Sequence, residues 1–200
     1  MNGFRERIQH YIRQQARPTE KFGHQPRLYA LAVEVGKGQI YDDDVLFAAA
    51  WLHDIGVFLG HRPEDPQALA VWDNTAYAMA QAPRILGDLD FPSAKCPAVV
   101  EAIRTHQPSG VPTTIEGQIL RDADILEQLG AIGIVRTVSK IGRDTRFPDF
   151  TSAVASLRKA LETLPRQIHL ESARMLAQLR IEVLESFLRQ LDAEAGADLH

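Results

Sequence analysis

The chain has 200 residues, enough for a domain to bury most of its apolar surface without covalent staples. Its 45% hydrophobic and 24% charged residues are ordinary globular composition, and 22 basic against 26 acidic residues give a net charge of -4. That balance lacks the broad basic field that draws a nucleic-acid backbone, so nucleic acid is disfavoured as a partner and small phosphates are easier to accommodate. Cys96 is the only cysteine, which excludes an internal disulfide and a thiolate-rich zinc site and fits a reducing cytosol.

The opening residues, Met-Asn-Gly-Phe-Arg-Glu-Arg-Ile, lack the apolar centre of a secretory signal. No apolar run reaches the roughly 18 residues of a membrane span. The expected address is the cytoplasm, with no membrane partner.

Apolar residues recur at helical spacing along most of the chain, and strand-like alternation never persists, so the expected class is all-α. A first helix is predicted over 3–15, ending at the Arg17-Pro18 break. A second opens at His24, with Pro26 in its first turn, and runs to Gly36. Asp42, Asp43 and Asp44 supply capping oxygens and negative charge for a third, which continues through Leu46-Phe47-Ala48-Ala49-Ala50-Trp51-Leu52 to Gly56. Being apolar on nearly every side, it should be the central buried helix. After a polar loop at 60–66, helices are predicted over 67–86, 94–106, 115–130 and 131–141. Residues 150–163 and 167–193 read as a terminal helical hairpin broken at Pro165. The expected organisation is a helical bundle core over 1–145 and a C-terminal helical extension over 146–200 that packs on it.

The most unusual local feature is His53-Asp54 behind that very apolar third helix. An imidazole and a carboxylate are costly to bury there unless something charged or hydrogen-bonding compensates them, and a divalent cation compensates both. Such donors suit one Mn, Fe, Co, Ni, Zn or Mg ion. His24, at the opening of the second helix, and Asp124, within the acidic face of Arg121-Asp122-Ala123-Asp124-Ile125-Leu126, supply further donors. Two neutral and two anionic ligands would balance a dication and leave room for water.

The series His24-Gln25-Pro26-Arg27-Leu28, Ala50-Trp51-Leu52-His53-Asp54-Ile55-Gly56, Ile103-Arg104-Thr105-His106 and Asp122-Ala123-Asp124-Ile125-Leu126 resembles the HD-domain superfamily of metal-dependent phosphohydrolases over about residues 20–140. The resemblance implies His24, His53, Asp54 and Asp124 as metal ligands. It favours Asp124 over Asp122, which would then be a supporting or surface residue, because family members place the ligand aspartate in an Ala-Asp-x-Leu setting. Leu164, Ala173, Ala177 and Arg180 in the tail look like a bacterial subgroup of small HD hydrolases. The chain also departs from relatives that carry a second metal or a glutamate four residues after the doublet. It has no histidine between His61 and His106, and Phe58 stands at the glutamate position.

A bound dication lowers the pKa of a water toward neutrality and polarises a phosphoryl oxygen. The expected function is therefore metal-dependent hydrolysis of a small phosphate ester or anhydride, with nucleotides favoured by family analogy. Asp54 would orient the water and His106 or His61 protonate the leaving group, with His106 the catalytic choice beside Asp54. Arg27, His61, Arg62 and Arg136 are the candidates for meeting the substrate. The alternative is a catalytically inactive regulatory protein that keeps the metal and binds nucleotide. A homodimer is one assembly the sequence leaves open.

Overall fold

The computed structural model describes residues 3–142 and 147–195. Among these, ten α-helices and short 3-10 turns make up the regular structure, with no strand, as the periodicity implies. The chain forms two compact units, Met1–Arg121 and Asp122–His200. The boundary expected between 145 and 146, in the Arg143 to Pro148 stretch, falls largely outside the described residues. No helix among them is long and apolar enough to cross a membrane.

The first unit contains α1 (Phe4–Gln15), α2 (His24–Val35), α3 (Asp43–Leu52), α4 (Pro66–Ala70), α5 (Asn74–Asp88) and α6 (Cys96–Thr105), and α7 (Ile115–Glu127) begins there. Helix α3 is its axis, packed against α1, α2 and α6. Every residue from Val45 to Leu52 is buried, and each fully buried Leu or Phe in such a helix contributes roughly 1.5–3 kcal/mol. This fixes the register of α3, and with it the place where the helix ends.

The start of α3 is tied by charge. Asp42 caps it, accepting from the amides of Asp44 and Val45, while Lys95 Nζ lies 2.8 Å from both Asp42 and Asp44. Arg5 Nη2 reaches Asp44 at 2.6 Å and Asp43 at 2.8 Å, and the Tyr29 hydroxyl donates to Asp43 at 3.0 Å. Glu116 of α7 accepts from the Asp42 amide at 2.8 Å. The acidic triplet thus caps one helix and holds four other segments to it.

Two expectations are corrected here. The single helix expected over 67–86 is two, α4 and α5, separated at Val71–Asp73, because Asp65 and Asp73 each cap a separate start through the amides of Ala68 and Ala76. Capping at Asp73 won over a continuous apolar pattern. Helix α3 ends at Leu52, not Gly56; His53 is its C-cap, and a 3-10 turn follows over Ile55–Val57.

The second unit contains the end of α7, then α8 (Gly130–Val138), α9 (Phe150–Thr163) and α10 (Glu171–Ala195), with α8, α9 and α10 packed on one another. Asp149 and Ser152 form a capping box at the start of α9, and a 3-10 turn at Pro165–Gln167 separates the hairpin helices. Gly130 has φ +68°, and a Cβ there would stand 3.1 Å from Arg180.

The charge ties give a pH dependence. The hydrogen bond from Lys95, more than any other contact, holds the Asp42 and Asp44 carboxyls below the usual carboxylate range, with Arg5 adding to the effect at Asp44. A carboxyl whose folded-state pKa is depressed stabilises the fold above its unfolded pKa of about 3.9, and that contribution is lost as pH falls through the folded value. Lys95→Met should therefore lower the urea midpoint at pH 6, and the gap between variant and parent should close below about pH 4.

Candidate metal centre

Four side chains of the first unit meet at the C-terminal end of α3. His24 opens α2, His53 caps α3, Asp54 follows it, and His106 caps α6. His53 and His106 are 1% and 2% exposed and His24 8%, so water does not solvate these polar rings and something else must.

The ring nitrogens have readable roles. His53 Nδ1 lies 2.9 Å from the carbonyl of Ala50, and His106 Nδ1 lies 2.6 Å from that of Ile103. A carbonyl only accepts, so each Nδ1 carries a hydrogen, and each ring, when neutral, presents a lone pair at Nε2. His24 Nε2 stands 3.2 Å from His53 Nε2, and Asp54 Oδ2 is 3.7 Å from the first and 3.6 Å from the second. The rings of His53 and His106 meet edge-on at 4.9 Å, and donor atoms of His53, Asp54 and His106 all lie within 4.8 Å of one another.

The donor chemistry fits a dication. Two nitrogens bound to one ion at about 2.0–2.1 Å, in tetrahedral or octahedral arrangement, lie about 2.8–3.4 Å apart, which brackets the His24–His53 separation. A pair of imidazoles at that distance needs a cation or a proton between their nitrogens.

Asp54 is aimed by its neighbours. Asn74, the first residue of α5, donates from Nδ2 to Asp54 Oδ1 at 3.2 Å, while Oδ2 faces the histidines. Trp72 Nε1 donates to the carbonyl of Gly56 at 2.8 Å. A Cβ on Gly56 would stand 2.7 Å from Asn74 O and 2.9 Å from Asn74 Cα, so only glycine admits α5 this close. Sequence reasoning missed Asn74; the signal available was the Asp73-Asn74 pair as a helix start.

The other expected site residues each have a setting of their own. Arg27 is exposed one turn after His24, and a Cβ at Gly23 would stand 3.0 Å from its Nη1. Arg62 follows the turn after α3 and is partly buried, with its Nε lacking a hydrogen-bond partner among the described residues. His61 engages Tyr77 through Nδ1 at 3.0 Å and Gln15 through Nε2 at 2.8 Å, and burial, with a smaller effect from Arg84, lowers its pKa. Phe58 is fully buried. In the second unit, Arg136 pairs with the buried Glu127 at 3.3 Å, and Gln128 Nε2 lies 3.2 Å from Asp124 Oδ2. Asp122 is neither at the surface nor idle: it is fully buried, and its Oδ2 accepts from the amides of His169 and Leu170 at 3.0 and 2.7 Å.

The pattern of the HD domain matches residues 22–129, more than half of the chain. The chain belongs to the HD domain family. This HD-domain chain is 34% identical over 85 residues to the uncharacterized protein YpgQ of Bacillus subtilis (strain 168), a match that takes in 42% of each protein. The match therefore spans less than half of YpgQ's length. The crystal structure of Bacillus subtilis YpgQ in complex with ADP has the same fold, with TM-score 0.74 and 23% identity over 97% of this chain and 96% of that one. A predicted HD superfamily hydrolase from an uncultured Thermotogales bacterium aligns with TM-score 0.65 and 25% identity, over 96% of this chain and 92% of its own. An HD-superfamily hydrolase from Bacillus thuringiensis aligns with TM-score 0.68 and 21% identity, over 96% and 97% of the two chains.

Because the Gly56 contact involves backbone atoms, Gly56→Ala must push α5 away. Chemical denaturation should show a loss of about 1–3 kcal/mol, the usual cost of overpacking, and the Trp72 emission should shift as its indole loses the Gly56 carbonyl.

Proposed function

We propose that this HD-domain chain is a metal-dependent phosphohydrolase acting on a small phosphate ester or anhydride, with a nucleotide as the favoured class. The observation that carries the reading is the convergence of the buried His24 and His53 nitrogens at ligand spacing, with the partly buried Asp54 carboxylate 3.7 and 3.6 Å from them. The solved YpgQ in complex with ADP and the two relatives described as HD-superfamily hydrolases support the nucleotide class and the hydrolytic chemistry.

Asp124 is the proposed fourth ligand. Helix α7 is unbroken from Ile115 to Glu127, and its Gly117 lies against Thr105 and Ala102 of α6, the helix that ends at His106. Asp124 lies seven residues (124 minus 117) further along α7, about two turns, on the same face as Gly117. The Gln128 amide steadies its carboxylate.

A bound dication supplies Lewis acidity toward a phosphoryl oxygen and a water acidic enough to ionise near neutral pH. The chain's own residues do the rest. The carbonyls of Ala50 and Ile103 hold the tautomers of His53 and His106, so that their Nε2 atoms face the centre. Asn74 keeps one Asp54 oxygen engaged, leaving the other to ligate and to orient the attacking water. His106 is the proposed proton carrier: its Nε2 lone pair would take a proton from the attacking water and then give that proton to the leaving oxygen. Substrate charge is assigned to Arg62, whose Nε lacks a hydrogen-bond partner among the described residues, and to Arg27, one turn after His24.

Purified protein should carry about one equivalent of transition metal per chain by elemental analysis, and Asp54→Ala should lose both the metal and turnover of nucleotides. Full activity in that variant, or a parent that stays metal-free when offered Mn, Fe, Co, Ni, Zn and Mg, ends the reading. A parent that holds metal and binds nucleotide without hydrolysing any would instead be the regulatory protein.

Asn74→Ala should remain folded yet bind the metal roughly 10–100-fold more weakly in a chelator competition, the usual effect of removing a group that orients a ligand. Unchanged affinity would mean that the Asn74 hydrogen bond serves only to pack α5.

A further inference from the structure

Beside the candidate centre, between the start of α5 and the loop after α6, lies an open cleft of about 400 Å³. That volume is within the range of small-molecule sites. Trp72, Asn74, Thr75, Arg104, Gln107 and Ser109 line it. Two lining residues connect it to the centre: Asn74 donates to Asp54, and Gln107 directly follows the buried His106.

The walls are built, not incidental. Gln107 Nε2 donates to Thr75 Oγ1 at 3.0 Å, bridging the two sides. The buried Arg121 donates to the carbonyl of Pro108 from Nη2 at 2.6 Å and from Nε at 3.2 Å, fixing the loop from beneath. The Gly110 amide closes the turn onto Gln107 O at 2.8 Å, and a Cβ on Gly110 would stand 2.4 Å from Thr105 O.

The charge of this cleft is wrong for a phosphate chain. Arg104 is its one cation, and both oxygens of Glu101 take its guanidinium at 2.7 Å. Arg104, and to a lesser degree Thr113, hold the Glu101 carboxyl down at about 2, so the pair stays ionised and its charges cancel. Asp73, also in the lining, adds a negative charge at the cap of α5. What remains is uncharged: the Gln107 carbonyl, the hydroxyls of Thr75 and Ser109, and the Trp72 indole, whose orientation is fixed by its bond to Gly56. A polar but neutral surface beside one anchored aromatic ring matches a sugar and a base better than a phosphate.

We infer that this cleft receives the nucleoside end of a nucleotide whose phosphates lie at the metal centre, with Trp72, Thr75 and Gln107 as the groups that discriminate nucleotides from simple phosphates. The inference rests on the phosphohydrolase reading above and adds to it the substrate's orientation. The uncharged end lies over Asn74, and the phosphate to be attacked lies beyond it, toward Asp54.

Ser109→Phe fills the cleft from an exposed loop residue without touching the centre. With ADP as substrate it should raise KM at least tenfold, while kcat/KM for inorganic tripolyphosphate stays within twofold of the parent. Unchanged ADP kinetics, or equal losses on both substrates, would overturn the assignment. If the parent hydrolyses neither substrate, the phosphohydrolase reading fails by itself, and the cleft is judged by titrating the nucleoside adenosine against tryptophan emission. A saturable change in the parent that weakens at least tenfold in Ser109→Phe supports the cleft, and no saturable change in the parent refutes it.

Discussion

The close approach of two imidazole nitrogens is the constraint from which the rest of the first unit can be understood. His24 and His53 come from different helices, yet their Nε2 atoms stand 3.2 Å apart inside the protein. The Ala50 carbonyl holds the hydrogen of His53 at Nδ1, so the His53 Nε2 lone pair meets either a hydrogen on His24 Nε2 or a cation between the rings. The fold therefore holds two imidazoles at a spacing that a cation could take over from that hydrogen bond. That arrangement survives because α3 cannot shift: its last eight residues, Val45 to Leu52, are buried, and its start is held by Arg5, Lys95 and Tyr29. The charged end of the helix sets where its other end stops, and the stop is where His53 and Asp54 sit.

Asp54 divides its carboxylate between two tasks. One oxygen is turned toward the histidines and the other toward the Asn74 amide. This division depends on Gly56, since any side chain there would collide with the Asn74 backbone. The same glycine lends its carbonyl to Trp72, so one turn of chain aligns a carboxylate and fixes an aromatic wall. Phe58, fully buried two residues later, explains how that turn can be so well anchored while offering no further acid to the centre.

Much of this was legible in the sequence because burial leaves a periodic trace. The apolar run of α3 announced a central helix, and His53-Asp54 behind it announced an anomaly that required compensation. His24 and His106 were legible as well, and the structure brings both to the same place. Three things were not. The break at 71–73 was hidden because apolar spacing continues across it, while the decisive event is capping by Asp73. Asn74 was hidden because its role depends on contact with a residue 20 positions earlier, which periodicity cannot report. The engagement of His61 and Arg136 by Gln15, Tyr77 and Glu127 was hidden for the same reason: charge and residue type nominate a side chain, but only tertiary partners decide whether it is available.

Asp122 and Asp124 stand in different settings on α7. Residues two apart on an α-helix point about 200° from one another, so the two carboxylates cannot serve the same site. Asp122 is already committed: buried, it accepts the backbone amides that open the turn before α10, and its loss would leave those amide hydrogens without this acceptor. That commitment turns Asp124 to the opposite face of α7, where it is only partly buried and is steadied by Gln128. Removing the Asp122 carboxylate would cost the turn its acceptor, so an acid at this place on the helix is set by the fold.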